Sequence, residues 1–327
     1  MRAERLVYAD HSATTRLDPR VLHKMMPYLQ GEYGNASSLY RIGRRSREAV
    51  EEARKQVAEC LSAQPEEIFF TSCGTESDNW AIKGVAEQYA SRGRHIITTA
   101  VEHHAVLHAC AHLERQGYTV TYLPVDGEGC VQLAALERAL RSDTILVSVM
   151  MANNEVGTLE PIANIRDILR PRGILLHVDA VQAAGHLPLD VTDLGADLLS
   201  LSAHKFYGPK GVGCLYIRKG VQMPSFLDGG AQERGMRAGT ENVAGIVGMG
   251  EALRLACEDL PRHAKRLTAL RDRLIERVLT EIPDTLLNGP VENRLPGHTN
   301  FSFSGVDGEE LLLCLDLSGI APWYRRI

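Results

Sequence analysis

The sequence predicts an α/β fold built around a largely parallel β-sheet. Between residues 68 and 217, short apolar segments alternate with segments whose apolar residues recur at helical spacing. The apolar segments contain few polar residues, which is typical of strands buried on both faces of a sheet. Helical segments separate them, as crossovers between parallel strands require. At 327 residues the chain exceeds what one hydrophobic core usually supports, so a second, smaller lobe is expected.

The elements follow one another in a regular order. The first fifteen residues are expected to form an extended arm, and residues 27–38, rich in turn formers, a loop. The first predicted helix covers residues 46–61. Seven strands are predicted after it, at IFFTS, HIITT, TVTYLPV, TILVSVMM, ILLHVDA, DLLSL and GVGCLYI. Residues 252–279 form a long amphipathic helix, with a kink or break at Pro261, that leads into a second lobe.

Composition limits the class of protein and of partner. With 44% hydrophobic and 24% charged residues, the chain is typical of soluble globular proteins. No apolar run approaches the ~18 to 20 residues that cross a bilayer, and the first fifteen residues contain no apolar signal-peptide core. A cytoplasmic location without a membrane partner is therefore expected. The net charge of -5 argues against nucleic acid and favours small molecules or proteins as partners.

Seven cysteines are scattered through the chain without any CxxC pair. This spacing indicates neither a disulfide framework nor a structural zinc site. Reduced thiols are expected.

A lysine follows a predicted strand at the motif SLSAHKFYGPKG, residues 200–211. Ser202, His204 and Lys205 come where the apolar run ends, and open α/β sheets bind ligands at the carboxyl edge of their strands. The alternative is a surface loop with a solvated lysine, because lysine is usually exposed.

The turn SCGTESDN, residues 72–79, joins a strand to a helix. Gly74 and Thr75 lie where the first helical N–H groups lack partners, which is a ready site for an anion such as phosphate. Thr75 and Asp78 also match a capping box, and that alternative would use the same hydroxyl group.

Two further strand ends carry polar residues. The segment HVDAVQ, residues 177–182, ends a buried strand with Asp179 and then Gln182. A buried carboxylate needs a cationic partner, either a ring nitrogen of a ligand or a structural arginine. His103 follows another strand, where its ring could stack on a ligand. His104, His108 and His112 have a spacing that can hold zinc, but no HExxH motif accompanies them, so a solvated helix face is favoured and no metal is expected.

These candidates share one position in the fold, the carboxyl edge of successive strands, so they are expected to meet in one crevice. A phosphate anchor, a carboxylate for a pyridinium nitrogen and a lysine for a Schiff base are together the requirements of pyridoxal 5'-phosphate.

Seven motifs in register give a specific resemblance: DHSATT, TSCGTESDN, VEHHAV, MANNEVG, HVDAVQ, SAHKFYGPKG and GGAQERGMRAGTEN. Together they resemble the class V aminotransferase superfamily and, within it, the cysteine desulfurases, from residue 7 to about residue 321. The resemblance implies the pyridoxal-phosphate-dependent transferase fold type I, with a mostly parallel seven-stranded sheet. It also implies a large cofactor-binding domain, residues 15–255, and an incomplete small α+β domain, residues 1–14 and 256–327.

The resemblance also implies roles for individual residues. Lys205 would form the Schiff base and act as acid and base, and Asp179 would bond the pyridine nitrogen. His103, a second catalytic residue, would stack on the cofactor ring. The remaining cofactor contacts would come from Gly74, Thr75, Asn154, Gln182, Ser202, His204 and, reaching across from a neighbouring subunit, Thr240.

The family reaction converts L-cysteine to L-alanine. A loop cysteine takes the sulfur as a persulfide for iron–sulfur cluster or thiocofactor assembly, so a homodimer and a sulfur-acceptor or scaffold protein are implied as partners.

The resemblance stops near the end of the chain. Where the family has a serine-rich loop with the reactive cysteine, this sequence reads APWYRRI, which suggests a truncation or a frameshift. Two alternatives therefore stand beside a desulfurase. One is a protein that binds pyridoxal phosphate but does not transfer sulfur, and the other is a class V aminotransferase or selenocysteine lyase.

Overall fold

The computed structural model describes residues 6–323. Its strands are β1 Val7–Tyr8, β2 Ile68–Thr71, β3 His95–Thr99, β4 Thr119–Leu123, β5 Thr144–Met150, β6 Leu175–Asp179, β7 Leu198–Ser202, β8 Gly213–Ile217, β9 Thr285–Leu287, β10 Phe301–Phe303 and β11 Ile320–Ala321. Its helices are α1 Pro19–Gln30, α2 Arg41–Leu61, α3 Gly74–Gln88, α4 His104–Glu114, α5 Leu133–Ala139, α6 Ile162–Leu169, α7 Val191–Leu194, α8 Val243–Glu281 and α9 Gly308–Leu317.

Seven strands form the central sheet in the order β2-β8-β7-β6-β5-β3-β4. The pairs from β7 to β4 are parallel, whereas β8 runs antiparallel to both β7 and β2. The predicted α/β class with a mostly parallel sheet is confirmed. Because β5, β6 and β7 run in the same direction, their carboxyl ends meet at one edge of the sheet.

Helices cover both faces of this sheet, as expected for strands that are apolar throughout. On one face, Trp80 of α3 and Val106 of α4 pack with strand residues such as Ile96 and Leu146. On the other face, α2, α6 and α8 pack against the sheet through residues that include Leu61, Ile165 and Met249. The strand ends that carry polar residues are thus fixed by two well-packed layers.

Helix α1 was not predicted, and the expectation of a loop over residues 27–38 is wrong at its start. The Asp18 side chain caps the helix by accepting a hydrogen bond from the backbone N–H of Arg20 at 2.7 Å, and Pro19 occupies the first turn. Val21 and Met25, one turn apart, are buried, and α1 packs on α8. Packing against a distant helix therefore stabilises a segment that contains Pro27.

The bounds of two predicted helices also differ. Helix α2 begins at Arg41 rather than at residue 46, because the small residues Gly43 and Ser46 pack inward within the basic segment. Helix α8 begins at Val243 and continues through Pro261 to Glu281, so the proline does not end it.

Two small sheets lie outside the central one. β1 pairs in parallel with β11, with Val7 opposite Ile320 and Tyr8 opposite Ala321, and β9 pairs antiparallel with β10. Helix α9 buries none of its residues. The proposed division into domains remains a prediction, and residues 1–5 and 324–327 of the predicted small domain lie outside the described part.

Within residues 6–323, no helix combines the length and the apolar character needed to cross a membrane.

Candidate active site

A cavity of about 360 Å³ opens at the carboxyl ends of β5, β6 and β7, beside the amino end of α3. Nine of the ten predicted site residues line it: Gly74, Thr75, His103, Asn154, Asp179, Gln182, Ser202, His204 and Lys205. Thr240 is exposed on the loop before α8 and does not line the cavity. The strand-end residues therefore meet in one place.

Lys205 lies in the turn that follows β7. Its Nζ donates hydrogen bonds to the carbonyl oxygens of Ser12 and Ala13, the latter at 2.9 Å. Burial lowers the pKa of the Lys205 amine, and the carboxylates of Asp179 and Asp10 oppose this only in part. The amine therefore loses its proton more readily than an exposed lysine, which a nucleophile or a base requires.

Asp179 is the last residue of β6 and is only 5% exposed. Its Oδ1 accepts a hydrogen bond from the backbone N–H of Val181 at 2.9 Å. Burial raises the pKa of Asp179 to about 6, against the opposing effects of the Val181 amide and Lys205. A cation entering the cavity would stabilise the ionised carboxylate.

The amino end of α3 approaches the cavity closely because residue 74 is glycine. A Cβ atom at this position would lie 2.7 Å from Val181 Cγ2 and 3.4 Å from Ser202 Cβ. The helix begins after Cys73 without a side-chain cap, and Thr75 lies inside it, so the alternative of a capping box is wrong. The first N–H groups and the Thr75 side chain therefore remain for a ligand.

His204 contacts the arm at the start of the chain, with its Nδ1 3.1 Å from Thr14 Oγ1. Burial, together with Lys205 and Lys210, lowers the pKa of His204 to about 4. The ring is therefore neutral at physiological pH and contributes hydrogen bonds rather than charge.

His103 and Gln182 complete the walls. His103 precedes α4, and its Nδ1 accepts a hydrogen bond from the backbone N–H of Ala105 at 3.1 Å. Gln182 Nε2 donates to the carbonyl oxygen of Ser12 at 2.9 Å. Both Gln182 and Lys205 therefore donate hydrogen bonds to the backbone of the arm.

Several cavity residues were not predicted individually: Ser12, Ala13, Cys73, Asp78, Met150, Ala152, Val181 and Trp323. Asp78 could have been found from its position one turn after Thr75 on the same helix. Its Oδ1 is buried, lacks a hydrogen-bond partner within residues 6–323, and lies 3.6 Å from His177 Nε2. Ser12 and Ala13 contact Lys205 through their backbone carbonyl groups, which the side chains in the sequence do not reveal.

The three histidines of α4 lie along one side of the helix. His104 and His108 are exposed, and no metal-binding group of three or more His, Cys, Asp or Glu side chains occurs in the described part of the chain. The expectation of a solvated helix face agrees with this arrangement.

Comparison with known families and proteins gives a consistent result. The profile of the family described as aminotransferase class-V matches residues 7–322. A cysteine desulfurase IscS of Clostridium botulinum is 53% identical over 316 residues, which cover 96% of this chain and 80% of that protein. A cysteine desulfurase IscS of Dictyoglomus turgidum is 54% identical over 97% of this chain and 80% of its own length.

Solved structures agree with the sequence matches. A NifS-like protein superposes with a TM-score of 0.94 at 45% identity, covering 97% of this chain and 87% of that one. A structure described as SspA in complex with cysteine superposes with a TM-score of 0.84 at 34% identity, covering 95% of this chain and 86% of that one.

Proposed function

The chain belongs to the class V aminotransferase family and, within it, to the cysteine desulfurases, and on this premise we propose that it converts L-cysteine to L-alanine. The thiolate of an acceptor cysteine would attack the substrate sulfur and become a persulfide, while the Cβ–S bond breaks and Cβ takes up a proton to give alanine. The observation that carries the proposal is the meeting of Lys205, Asp179 and the Gly74 turn in one cavity. A lysine amine, a buried carboxylate and an anion-binding helix end are seldom required together by another small ligand.

We propose pyridoxal 5'-phosphate as the cofactor, and the residues present fit it. A Cβ at Gly74 would clash with Val181, so glycine lets the amino end of α3 lie against the cavity wall, where its first N–H groups would face a phosphate group. Thr75, Ser202 and His204 would hold that phosphate. Asp179 would hold the ring nitrogen, Gln182 the phenolic oxygen, and Lys205 the aldehyde carbon, while the ring of His103 would cover one face.

When bound, pyridoxal phosphate supplies an electron sink that stabilises negative charge at the substrate Cα. The Asp179 carboxylate would keep a proton at the ring nitrogen, because burial makes an unpaired charge at this position costly. Lys205 Nζ accepts the proton from the substrate Cα and later returns a proton to the product, as its lowered pKa favours. Release from the carbonyl groups of Ser12 and Ala13 frees this amine for the transfer.

The proposed substrate is L-cysteine, in agreement with the SspA structure, which is a complex with cysteine. Asn154, which lines the cavity beyond β5, would lie near the substrate carboxylate. The sulfur would be destined for iron–sulfur cluster or thiocofactor assembly through an acceptor or scaffold protein. We also propose a cytoplasmic location, since none of the seven cysteines, all of them in the described part of the chain, forms a disulfide bond.

The first test is spectroscopic. The purified protein, incubated with pyridoxal phosphate and dialysed, should retain a visible absorbance that Lys205→Ala loses while remaining folded by circular dichroism. The absence of this absorbance from folded wild-type protein would refute the cofactor proposal.

The second test measures products. With L-cysteine and a thiol reductant, the loaded protein should release alanine and sulfide in equal amounts. Transfer of the amino group to a 2-oxo acid without sulfide release would instead identify an aminotransferase. Retention of the cofactor without either reaction would identify a binding protein that does not transfer sulfur.

A further inference from the structure

An acidic residue stands in the turn that is proposed to bind phosphate. Glu76 directly follows Thr75 in the first turn of α3, and its side chain is 11% exposed. Its Oε2 accepts hydrogen bonds from the backbone N–H of Ser72, at 2.8 Å, and from the Ser72 hydroxyl group. A carboxylate here is favoured by the helix dipole but would repel a second anion at the same helix end.

Arg237 neutralises this carboxylate. Its Nε and Nη2 donate to the two oxygens of Glu76 at 2.8 and 3.1 Å, and its side chain is 19% exposed. Burial alone would raise the pKa of Glu76, but the hydrogen bonds from Arg237 and Ser72 hold that pKa below its usual value. Glu76 is therefore ionised, and the guanidinium cancels its charge.

Few other cations of the described chain serve the proposed phosphate contacts. Thr75 and Ser202 are uncharged, and His204 is neutral because its pKa is about 4. Lys205 would bond the aldehyde carbon of the cofactor instead of its phosphate, and the side chain of Lys210 is exposed. The balance of charge around the turn therefore depends strongly on Arg237.

The loop that carries Arg237 is held in an unfavourable backbone conformation. Glu233 and Arg234 have φ values of 46° and 58°, a region that non-glycine residues rarely adopt. The buried pair between Arg54 and Glu233, at 2.8 Å, and the hydrogen bond from the Phe70 N–H to Glu233 hold this conformation. A fixed loop of this kind presents Arg237 to Glu76 without further ordering.

We propose that Arg237 is a positioning residue for the cofactor: it neutralises Glu76, so that the amino end of α3 accepts a phosphate dianion. This inference rests on the proposed function, since it concerns the phosphate of pyridoxal phosphate. A purely structural role for Arg237 would instead affect the binding of any ligand in the cavity.

The experiment compares two ligands that differ only in the phosphate. Dissociation constants of pyridoxal phosphate and of pyridoxal are measured from the visible absorbance at about pH 8, where Glu76 is ionised, for wild-type protein and for Arg237→Met. We expect Arg237→Met to bind pyridoxal phosphate about tenfold more weakly, or worse, and to bind pyridoxal as the wild type does. Arg262→Met removes an exposed arginine of α8 and serves as the matched control for loss of a cation.

A second variant identifies the cause. In the Arg237→Met background, Glu76→Gln removes the uncompensated charge and should recover most of the lost affinity for pyridoxal phosphate. Equal losses for both ligands, no loss for either, or failure of Glu76→Gln to recover affinity would each overturn the proposal. Wild-type protein that binds neither ligand would refute the proposed function itself, so the two failures are distinguishable.

Discussion

His177 lies below the floor of the cavity, between two serine hydroxyl groups. Its Nδ1 is 2.8 Å from Ser148 Oγ, and its Nε2 is 2.9 Å from Ser200 Oγ. The three side chains come from neighbouring strands of the sheet: Ser148 is opposite His177, two residues before Asp179, and Ser200 is opposite Asp179 itself. Burial lowers the pKa of His177 to about 3, so a neutral ring supports the base of the site.

This burial predicts a dependence of stability on pH. In the unfolded chain His177 would titrate near pH 6.5, whereas the folded protein keeps it neutral down to about pH 3. The unfolded state therefore binds more protons below pH 6.5, and the stability that the neutral ring contributes is lost as the pH falls. When the pH is lowered from 7 to 5, the unfolding free energy of the wild type should fall by about 2 kcal/mol more than that of His177→Asn. Urea unfolding at the two pH values measures both changes.

The control for this prediction is His104→Asn, on the exposed face of α4. It should follow the wild-type pH dependence. If the stability of His177→Asn depended on pH as that of the wild type does, the pH dependence would not originate from the burial of His177.

The role of a site residue was predictable from the sequence where it depends only on the type of side chain and on its position at the end of a strand. Lys205, Asp179 and Gly74 follow strands, and parallel strands bring such residues to one edge. The partners of Lys205 were not predictable in this way, because Ser12 and Ala13 contribute backbone carbonyl groups from about 190 residues away. Every residue has such a carbonyl group, so sequence alone does not distinguish these two.

At the scale of elements, the buried pair between Arg54 and Glu233 joins α2 to the loop before α8. Arg54 is 3% exposed and Glu233 7% exposed. Arg54 also donates to the carbonyl oxygen of Ile68 at 2.8 Å and lies over the Phe70 ring at 4.8 Å. The pair therefore connects α2, the edge strand β2 and the loop.

Glu233→Gln should destabilise the protein by about 3 kcal/mol, because it leaves the buried Arg54 guanidinium with only the half-exposed Glu51 as a charge partner. Urea unfolding measures the loss. Glu281→Gln is the matched control, since its pair with Arg277 is exposed on α8, and it should leave the unfolding free energy unchanged within error. Comparable losses in the two variants would contradict this account.

The elements themselves were predictable to different degrees. Apolar patterns predicted the seven central strands and the main helices between them, because all of these strands except the edge strand β4 are buried along their whole length. Helix α1 escaped prediction because only Val21 and Met25 are buried along its twelve residues. Its stability depends on α8, which begins more than two hundred residues later.

For the whole molecule, the location of Thr240 bears on assembly. Thr240 is exposed and lies outside the cavity of its own chain, whereas the family pattern assigns it a contact with the phosphate of a neighbouring subunit. A homodimer in which each chain completes its partner's site would reconcile these two statements.

Sedimentation should therefore give twice the chain mass of 36.0 kDa. Lys205→Ala and Thr240→Val are each expected to impair cofactor binding in both sites of their own dimer. A mixed dimer of these variants should recover one intact site, measured as about half of the wild-type absorbance for the isolated mixed dimer, or about a quarter for an equimolar mixture after subunit exchange. A monomeric protein, or no recovery in the mixed dimer, would contradict the exchange of Thr240.

The pairing of β1 with β11 has a consequence for biosynthesis. The arm that bonds Lys205 leaves the ribosome before the seven-stranded sheet, whereas the strand that holds it, Ile320–Ala321, follows only after that sheet has been translated. The central sheet of the nascent chain can therefore fold and form the cavity before β1 pairs with β11 and fixes the arm. Because this pairing closes a very long loop with two residues on each side, it is also the contact expected to open first in the finished protein.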